Sequence, residues 1–413
     1  MDNNSKKVSK PPKFTFPSDR GASLLIFVLS PVISFFTAIR HYRLPSSRNV
    51  IWFFVAFYGL TMISGVGNSD SSRYREVFLN MSNSSSLSLF SDVRMDIVEP
   101  LISFVISRFT SNYHILFGIY GLFFGYFYSR NIWSLLDIVK NRVNKKGVFL
   151  LFIFAIIIGF WQLNGFRFWM AAHIFYYGGF KYLIKNKKTG LLLIVSSFLV
   201  HFSFLFPVLV FMVYLLIGNK IKYYFLFFIL SFFISEIDLG QTQKTLVSIA
   251  PRALHYKISS YTNEAYAEGL TLEKENARNW RFKFYPKAIK WSAVLFLIGA
   301  YYTSRKILPK YLLNVLCFAF FFMGMSNLAS LIPSGGRFML VSYLFVFGFS
   351  FIISQGKFNS EWMTKIFYIT APFLIFYAMG VLNSFLPYFG FSVVTNPIVL
   401  LFYNSDTPLV DLF

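Results

Sequence analysis

The chain has 413 residues, of which 56 % are hydrophobic and only 14 % charged, with a mean hydropathy of +0.56. Soluble domains carry roughly 25 % charged residues, so a soluble enzyme is excluded, and 55 phenylalanines exclude a disordered chain. The net charge of +22 sits in short clusters between apolar runs, the pattern of cytoplasmic loops in a membrane protein and not the patch of a nucleic-acid binder.

In chain order, a polar, basic tail (1–23) comes first, and no cleavable leader is evident in it. Apolar runs follow at 24–39, 50–66, 113–136, 148–165, 166–184, 190–217, 223–239, 288–303, 311–333, 337–354 and 362–385, with a further candidate at 390–402. A spanning helix needs roughly 20 apolar residues. The pattern therefore predicts an all-α, polytopic transmembrane helical bundle of about 10–14 membrane segments, some short or re-entrant. Residues 24–403 form one integral membrane domain and 404–413 a C-terminal tail. The run 24–39 is short and carries Pro31, so it is expected to kink or to span incompletely. The single cysteine, Cys317, lies in an apolar run and excludes an intramolecular disulfide and a cysteine-based metal site.

Charge sets the orientation. Arg40, Arg43 and Arg48 form one basic cluster; Lys140, Arg142, Lys145 and Lys146 a second; Lys181, Lys185, Lys187 and Lys188 a third; Arg305, Lys306 and Lys310 a fourth. The positive-inside rule puts all four in the cytoplasm. The acidic segment 67–99 is then outside, and the short stretch 99–110 dips into the membrane and returns. The run 190–217 begins and ends beside basic residues, so it reads as a tight hairpin turning near His201-Phe-Ser203 and Pro207. That makes about 240–287 an outer loop; with a single helix there, the loop would be cytoplasmic. Within it, Leu270–Phe284, which carries Arg281, reads as an amphipathic interfacial helix, and Tyr256, Tyr261, Tyr266, Trp280 and Tyr285 punctuate the loop. Such aromatics anchor at an interface or stack on sugars.

Charged groups at membrane depth cost roughly 2.5–3.5 kcal/mol on insertion scales, so Arg167, His173, His201, Glu99, Arg108 and Arg337 are informative. Arg167 sits at the outer junction of two apolar runs. It is either a snorkelling arginine or an anion ligand, since the guanidinium fork matches phosphate. Arg337 follows Pro333-Ser-Gly-Gly336 and opens a helix containing Tyr343, so the glycines and the helix-start amides suit either an anion site or a simple turn. His201 is either a satisfied core histidine or a proton acceptor working near neutral pH. His173 lies six residues after Arg167, roughly 240° around an ideal helix, so the two do not share a face. Asp70 and Tyr74 are four residues apart and face the same way on a helix. Glu99-Pro100 begins a helix or supplies a general base. No phosphate-binding loop, dinucleotide fingerprint, zinc-protease pair or nucleophile elbow is present.

Four ordered blocks resemble the EpsG family of Wzy-type polysaccharide polymerases. They are Asp70, Tyr74 and Phe78; Glu99-Pro100 with Ser111-Asn112-Tyr113; Arg167, Ala171, the basic loop Lys185–Lys188, His201 and Ser203; and Arg337 with Tyr343. Together they span residues 67–343. Two positions depart from the family. An arginine expected before the Asp block is replaced by Ile63-Ser-Gly-Val-Gly67, which leaves Arg73 as a substitute, and the glutamine that often follows the central arginine is Phe168.

The resemblance implies a GT-C-like, metal-independent glycosyltransferase of the bacterial inner membrane with no cofactor. Its substrate would be an undecaprenyl-diphosphate-linked oligosaccharide, whose growing chain passes to an acceptor sugar hydroxyl at the outer face. A chain-length regulator and a flippase of the same pathway would be its partners, with no nucleic acid. On that reading Arg167, Arg337 and Arg73 bind diphosphate. His201 or Glu99 is the base, Asp70 orients hydroxyls, and Tyr74, Tyr343 and Arg281 contact sugar. The competing readings are a flippase for lipid-linked oligosaccharide, which would be expected to show internal repeats that this sequence lacks, and a membrane acyltransferase, for which no second catalytic partner stands beside His201.

Overall fold

The computed structural model describes residues 20–64, 69–83, 96–139, 142–234, 280–303 and 305–412, apart from single positions (357, 359, 401 and 403), together with residues 247, 248, 255 and 259. The described residues are helical, with only isolated β-bridges. The protein is an all-α, polytopic membrane protein. Among the described residues, four helical stretches are long and apolar enough to cross a membrane: Lys145–Lys185, Lys310–Ala329, Arg337–Ser354 and Glu361–Tyr388.

The first apolar run does not cross. It forms α1 (Arg20–Leu29) and α2 (Pro31–Arg40), broken at Ser30, whose hydroxyl accepts the Ile33 N–H at the start of α2. Ser23 donates to Ser46 at 3.1 Å, and Ser47 donates to the His41 carbonyl at 2.7 Å. Both ends of the hairpin therefore lie beside the start of α3 (Ser47–Thr61), at the end of the bundle that carries Arg40, Arg43 and Arg48. Each helix is about 15 Å long, half a bilayer core.

Helix α3 packs antiparallel on α6 (Tyr113–Leu136). Gly118, Gly121 and Gly125 fall on one face of α6, and a Cβ on Gly121 would come 2.5 Å from the Val55 carbonyl oxygen. Small residues let the two backbones approach where lipid gives no hydrophobic drive to associate. The Trp52 indole donates to the Leu122 carbonyl at 2.7 Å across the same contact. Between these helices in sequence lie α4 (Asp70–Asn83) and the ten-residue α5 (Val98–Ser107). Helix α5 starts where the Ile97 N–H bonds the Leu199 carbonyl, and ends with Arg108 on the Met81 carbonyl of α4. At ten residues, about 15 Å, it is too short to cross a bilayer.

The run 148–184 becomes α7 (Lys145–Ile157), a 3-10 turn (Phe160–Gly165) and α8 (Phe166–Lys185). The long run 190–217 is two helices, α9 (Thr189–Val200) and α10 (Leu205–Ile217), with His201 extended between them. Gly190 at the start of α9 meets Gly178 of α8, while His201 lies against Phe168 near the start of α8. Helix α10 then runs back: Phe204 packs on Phe168 and Phe211 on Tyr182. The chain reverses at His201, and α11 (Ile221–Leu230) leaves again parallel to the helix Lys310–Ala329.

The last four long helices are α12 (Trp280–Thr303), α13 (Lys310–Ala329), α14 (Arg337–Ser354) and α15 (Glu361–Phe385). Helix α12 begins eight residues before the apolar run at 288, so Trp280–Phe284 continues into a long helix instead of ending an interfacial one; residues 270–279, with Tyr256, Tyr261 and Tyr266, lie outside the described residues. The candidate run 390–402 is not a span. It holds only a 3-10 turn (Phe391–Val394) and a four-residue helix (Pro397–Leu400), and it folds across the far end of α3. There Met62 bridges Phe389, Gly390 bridges Pro408, and Asn404 donates to the Leu60 carbonyl at 3.0 Å. Residues 404–412, read from sequence as a tail, are thereby tied to the bundle.

Arg43 donates to the Val139 carbonyl at 2.8 Å, and Asn144 to the Ser354 carbonyl at 2.6 Å. These bonds gather the basic cluster around Arg40–Arg48 and the one around Arg142–Lys146 at one end of the bundle; Lys185 closes the last turn of α8 at that end. Asp70, Asp96, Arg167, His201 and Arg337 lie at the other end.

Candidate functional site

At the end opposite the basic clusters, two polar groupings sit on either side of the first turn of α8. In the first, Arg167 is the hub. Its Nη1 lies 3.1 Å from Asp96 Oδ2, and its Nε donates to the Tyr74 hydroxyl at 3.1 Å. Asp96 is 4 % exposed and its other oxygen accepts the Phe202 N–H at 2.6 Å, so the same carboxylate also holds the α9–α10 bend. Tyr74, from α4, is buried, which pushes its hydroxyl up to about 12 and keeps it protonated. The carboxylate of Asp96 was not singled out in the sequence. Its only signal was an acidic residue close before the Glu-Pro of α5, in a segment already crowded with acids.

Glu99 is 2 % exposed and accepts hydrogen bonds at 3.0 Å from both Ser103 and Tyr120. Tyr120 stacks on Phe166 at 4.1 Å. This closed set pins α5 to α6 and α8, with the Glu99 carboxylate buried inside it. Asp70 opens α4 with its side chain about a quarter exposed, paired with Arg73, which is 64 % exposed. The Ser71 N–H bonds Asn164 at 3.3 Å and docks α4 on the 3-10 turn. Gly165 separates Asp70 from Trp169: a Cβ there would stand 3.6 Å from Asp70 Oδ2 and 2.9 Å from the indole.

His201 accepts the Ser203 N–H at Nδ1, 3.2 Å away, with the Ser203 hydroxyl 2.7 Å from the same nitrogen. In the neutral ring the proton is then on Nε2, which makes His201 a hydrogen-bond donor toward its far side. His173 is the satisfied core histidine: Nδ1 meets Asn131 at 3.1 Å and Nε2 meets the Ile158 carbonyl at 3.1 Å, away from Arg167 as helix geometry requires.

The second grouping is a cavity of about 470 Å³ between α8, α12, α14 and α15. Arg337, Lys287 and Lys290 line it, with Gln162, Trp169, Tyr285, Tyr343, Tyr377 and Phe385, and among the described residues no carboxylate faces it. Lys290 donates to Asn327 at 3.0 Å, and Asn327 donates to the Ser231 carbonyl at 2.9 Å, which fixes the ammonium. Arg337 lies exposed over the Phe168 ring, 5.6 Å from its centroid. The amides at the start of α14 are not open to an anion: those of Arg337, Phe338 and Met339 bond the carbonyls of Ser334, Gly335 and Gly336. Gly335 is still required, because a Cβ there would collide with the Ala329 carbonyl.

Arg167 and Arg337 thus do not form a bare arginine pair. Arg167 is neutralised by Asp96, and the cations that share a cavity with Arg337 are lysines from α12, which the sequence left in a mixed-charge loop. The side chain of Arg281 lies outside the described residues. Among the described residues, no group of three or more His, Cys, Asp or Glu side chains is placed to hold a metal.

The sequence model of the EpsG family matches residues 48–390, a stretch that holds every element of both groupings. No curated protein and no solved structure gives a significant match.

Proposed function

Because the chain belongs to the EpsG family, a family of Wzy-like polysaccharide polymerases, we propose that it joins lipid-diphosphate-linked oligosaccharide repeat units at the outer face of a bacterial inner membrane. The observation that carries this reading is the cavity lined by Arg337, Lys287, Lys290 and five aromatic side chains, with no carboxylate among its described lining residues. Its charge suits a diphosphate, its aromatic walls suit sugar faces, and its position between helices gives an isoprenoid tail a way out to lipid.

The acceptor hydroxyl attacks the anomeric carbon of the donor chain. A carbon–oxygen bond forms there as the bond to the diphosphate breaks, and the diphosphate departs with the electron pair. Arg337 and Lys290 stabilise the charge that grows on the leaving group, the step where fixed cations lower the barrier most. We assign the released proton to Asp70, the partly exposed carboxylate beside Trp169, and hydrogen-bond donation to a sugar to His201. Arg167, Asp96 and Tyr74 hold the bend and α4 in place around the substrate, and the positive charge of Arg167 adds to the field at the outer face.

The test is reconstitution with a lipid-diphosphate-linked repeat unit, reading product length on a gel. The double variant Arg337→Ala/Lys290→Ala is expected to lower elongation by about 100-fold or more, the loss of two charge-assisted contacts. A full-length ladder from that variant would overturn the assignment of the cavity.

A further inference from the structure

A second cationic site lies at the opposite end of the bundle, where the polymerase reading gives it nothing to do. Arg130, near the end of α6, is half-buried between the rings of Trp52 and Tyr126, with its guanidinium carbon 4.4 and 4.2 Å from their centroids. Its Nη2 donates to Asn49 Oδ1 at 3.1 Å and its Nη1 to Ser129 at 2.9 Å, both neutral groups. Arg48, in the first turn of α3, is near enough to repel it, and Arg48 Nε is buried with no hydrogen-bond partner among the described residues. Lys181 adds a third charge, 5.8 Å from the Tyr177 ring on the same side. Asp137 acts on Tyr177, but among the described residues it forms no ion pair with either arginine. Two like charges held together at the positive end of the α3 dipole, without an acid between them, make a strong field for an anion.

The surroundings say which anion. Phe123, Tyr126 and Arg130 follow one another at helical spacing along one face of α6. Phe123 is 45 % exposed, as is Phe53, which stacks on Trp52. An apolar stripe thus runs from the guanidinium toward the middle of the bundle, as an acyl chain would below its headgroup. We propose that Arg48 and Arg130 hold the phosphate of an anionic phospholipid from the cytoplasmic leaflet. The phosphodiester bridges the two guanidinium groups, and one acyl chain lies along Phe123 and Phe53.

The test uses the full chain, purified in a neutral detergent and titrated with phosphatidylglycerol, phosphatidylcholine or soluble glycerol 3-phosphate. Thermal unfolding and native mass spectrometry report binding. Phosphatidylglycerol is expected to raise the unfolding temperature saturably and phosphatidylcholine not. Arg130→Gln is expected to weaken phosphatidylglycerol about tenfold or more, and Arg130→Lys less, because lysine keeps the charge and loses the fork. Arg48→Gln gives the same comparison at the second arginine, should Arg130→Gln fail to fold. Equal responses to the two lipids, or unchanged affinity in both glutamine variants, would overturn the site. An equal response to glycerol 3-phosphate would assign it to a soluble phosphate and overturn the lipid.

Discussion

Asp96 stabilises two things with its two oxygens, the charge of Arg167 and the backbone of the α9–α10 bend. Removing Arg167 leaves a buried carboxylate with a single neutral donor. Breaking a fully buried pair costs about 3–5 kcal/mol. Arg167 is 23 % exposed, so water softens the loss, and Arg167→Ala is expected to cost about 2 kcal/mol. Asp96→Asn keeps an acceptor for the Phe202 N–H and is expected to cost less. Thermal unfolding of the single and double variants in detergent measures both, and additive costs would show that the pair is not coupled. At this scale the sequence exposed the arginines, because a charge in an apolar run is conspicuous. It hid Asp96, because an acid among acids carries no contrast. Only the fold reveals which of them is turned inward.

Element lengths were legible where a run was uniformly apolar, as in α6, α14 and α15. The break beside Pro31 and the reversal at His201 were legible too, from a proline in a short run and from a polar stretch inside a long one; at both, a polar side chain takes over backbone hydrogen bonds. Helix pairing rests on glycine. At Gly121 and Gly125 a side chain meets the α3 backbone, whereas a Cβ on Gly336 meets nothing within 4 Å. Gly121→Leu is therefore expected to cost about 3 kcal/mol or more and to abolish a monodisperse peak in size-exclusion chromatography. Gly336→Ala is expected to stay within about 0.5 kcal/mol of the parent. Equal tolerance at the two positions would contradict the close α3–α6 contact.

For the whole molecule, charge in the loops predicted the sidedness that the packing now displays: the basic clusters around Arg43 and Arg142–Lys146 meet at one end, and the candidate active site lies at the other. Composition could not say that residues 390–412 return to the outer end of α3, since those contacts are backbone bridges and single polar side chains without a sequence pattern. Sidedness can be checked with a membrane-impermeant maleimide on intact cells, with the buried Cys317 replaced by Ala. Ser405→Cys is expected to label from outside and Lys187→Cys only after lysis. Labelling of Lys187→Cys in intact cells would invert the bundle.

The bond from Asn404 to the Leu60 carbonyl joins residues 344 positions apart, and Tyr113 reaches Asp406 across 293. This has a consequence for biogenesis. The helix pair α3–α6 is inserted early in translation, yet its outer rim stays open until residues 389–409 have left the ribosome and crossed the bilayer. The end that carries the candidate site is thus completed only once residues 389–409 are in place. A ribosome stalled before residue 389 would release a product with every long helix in place and the rim unsealed.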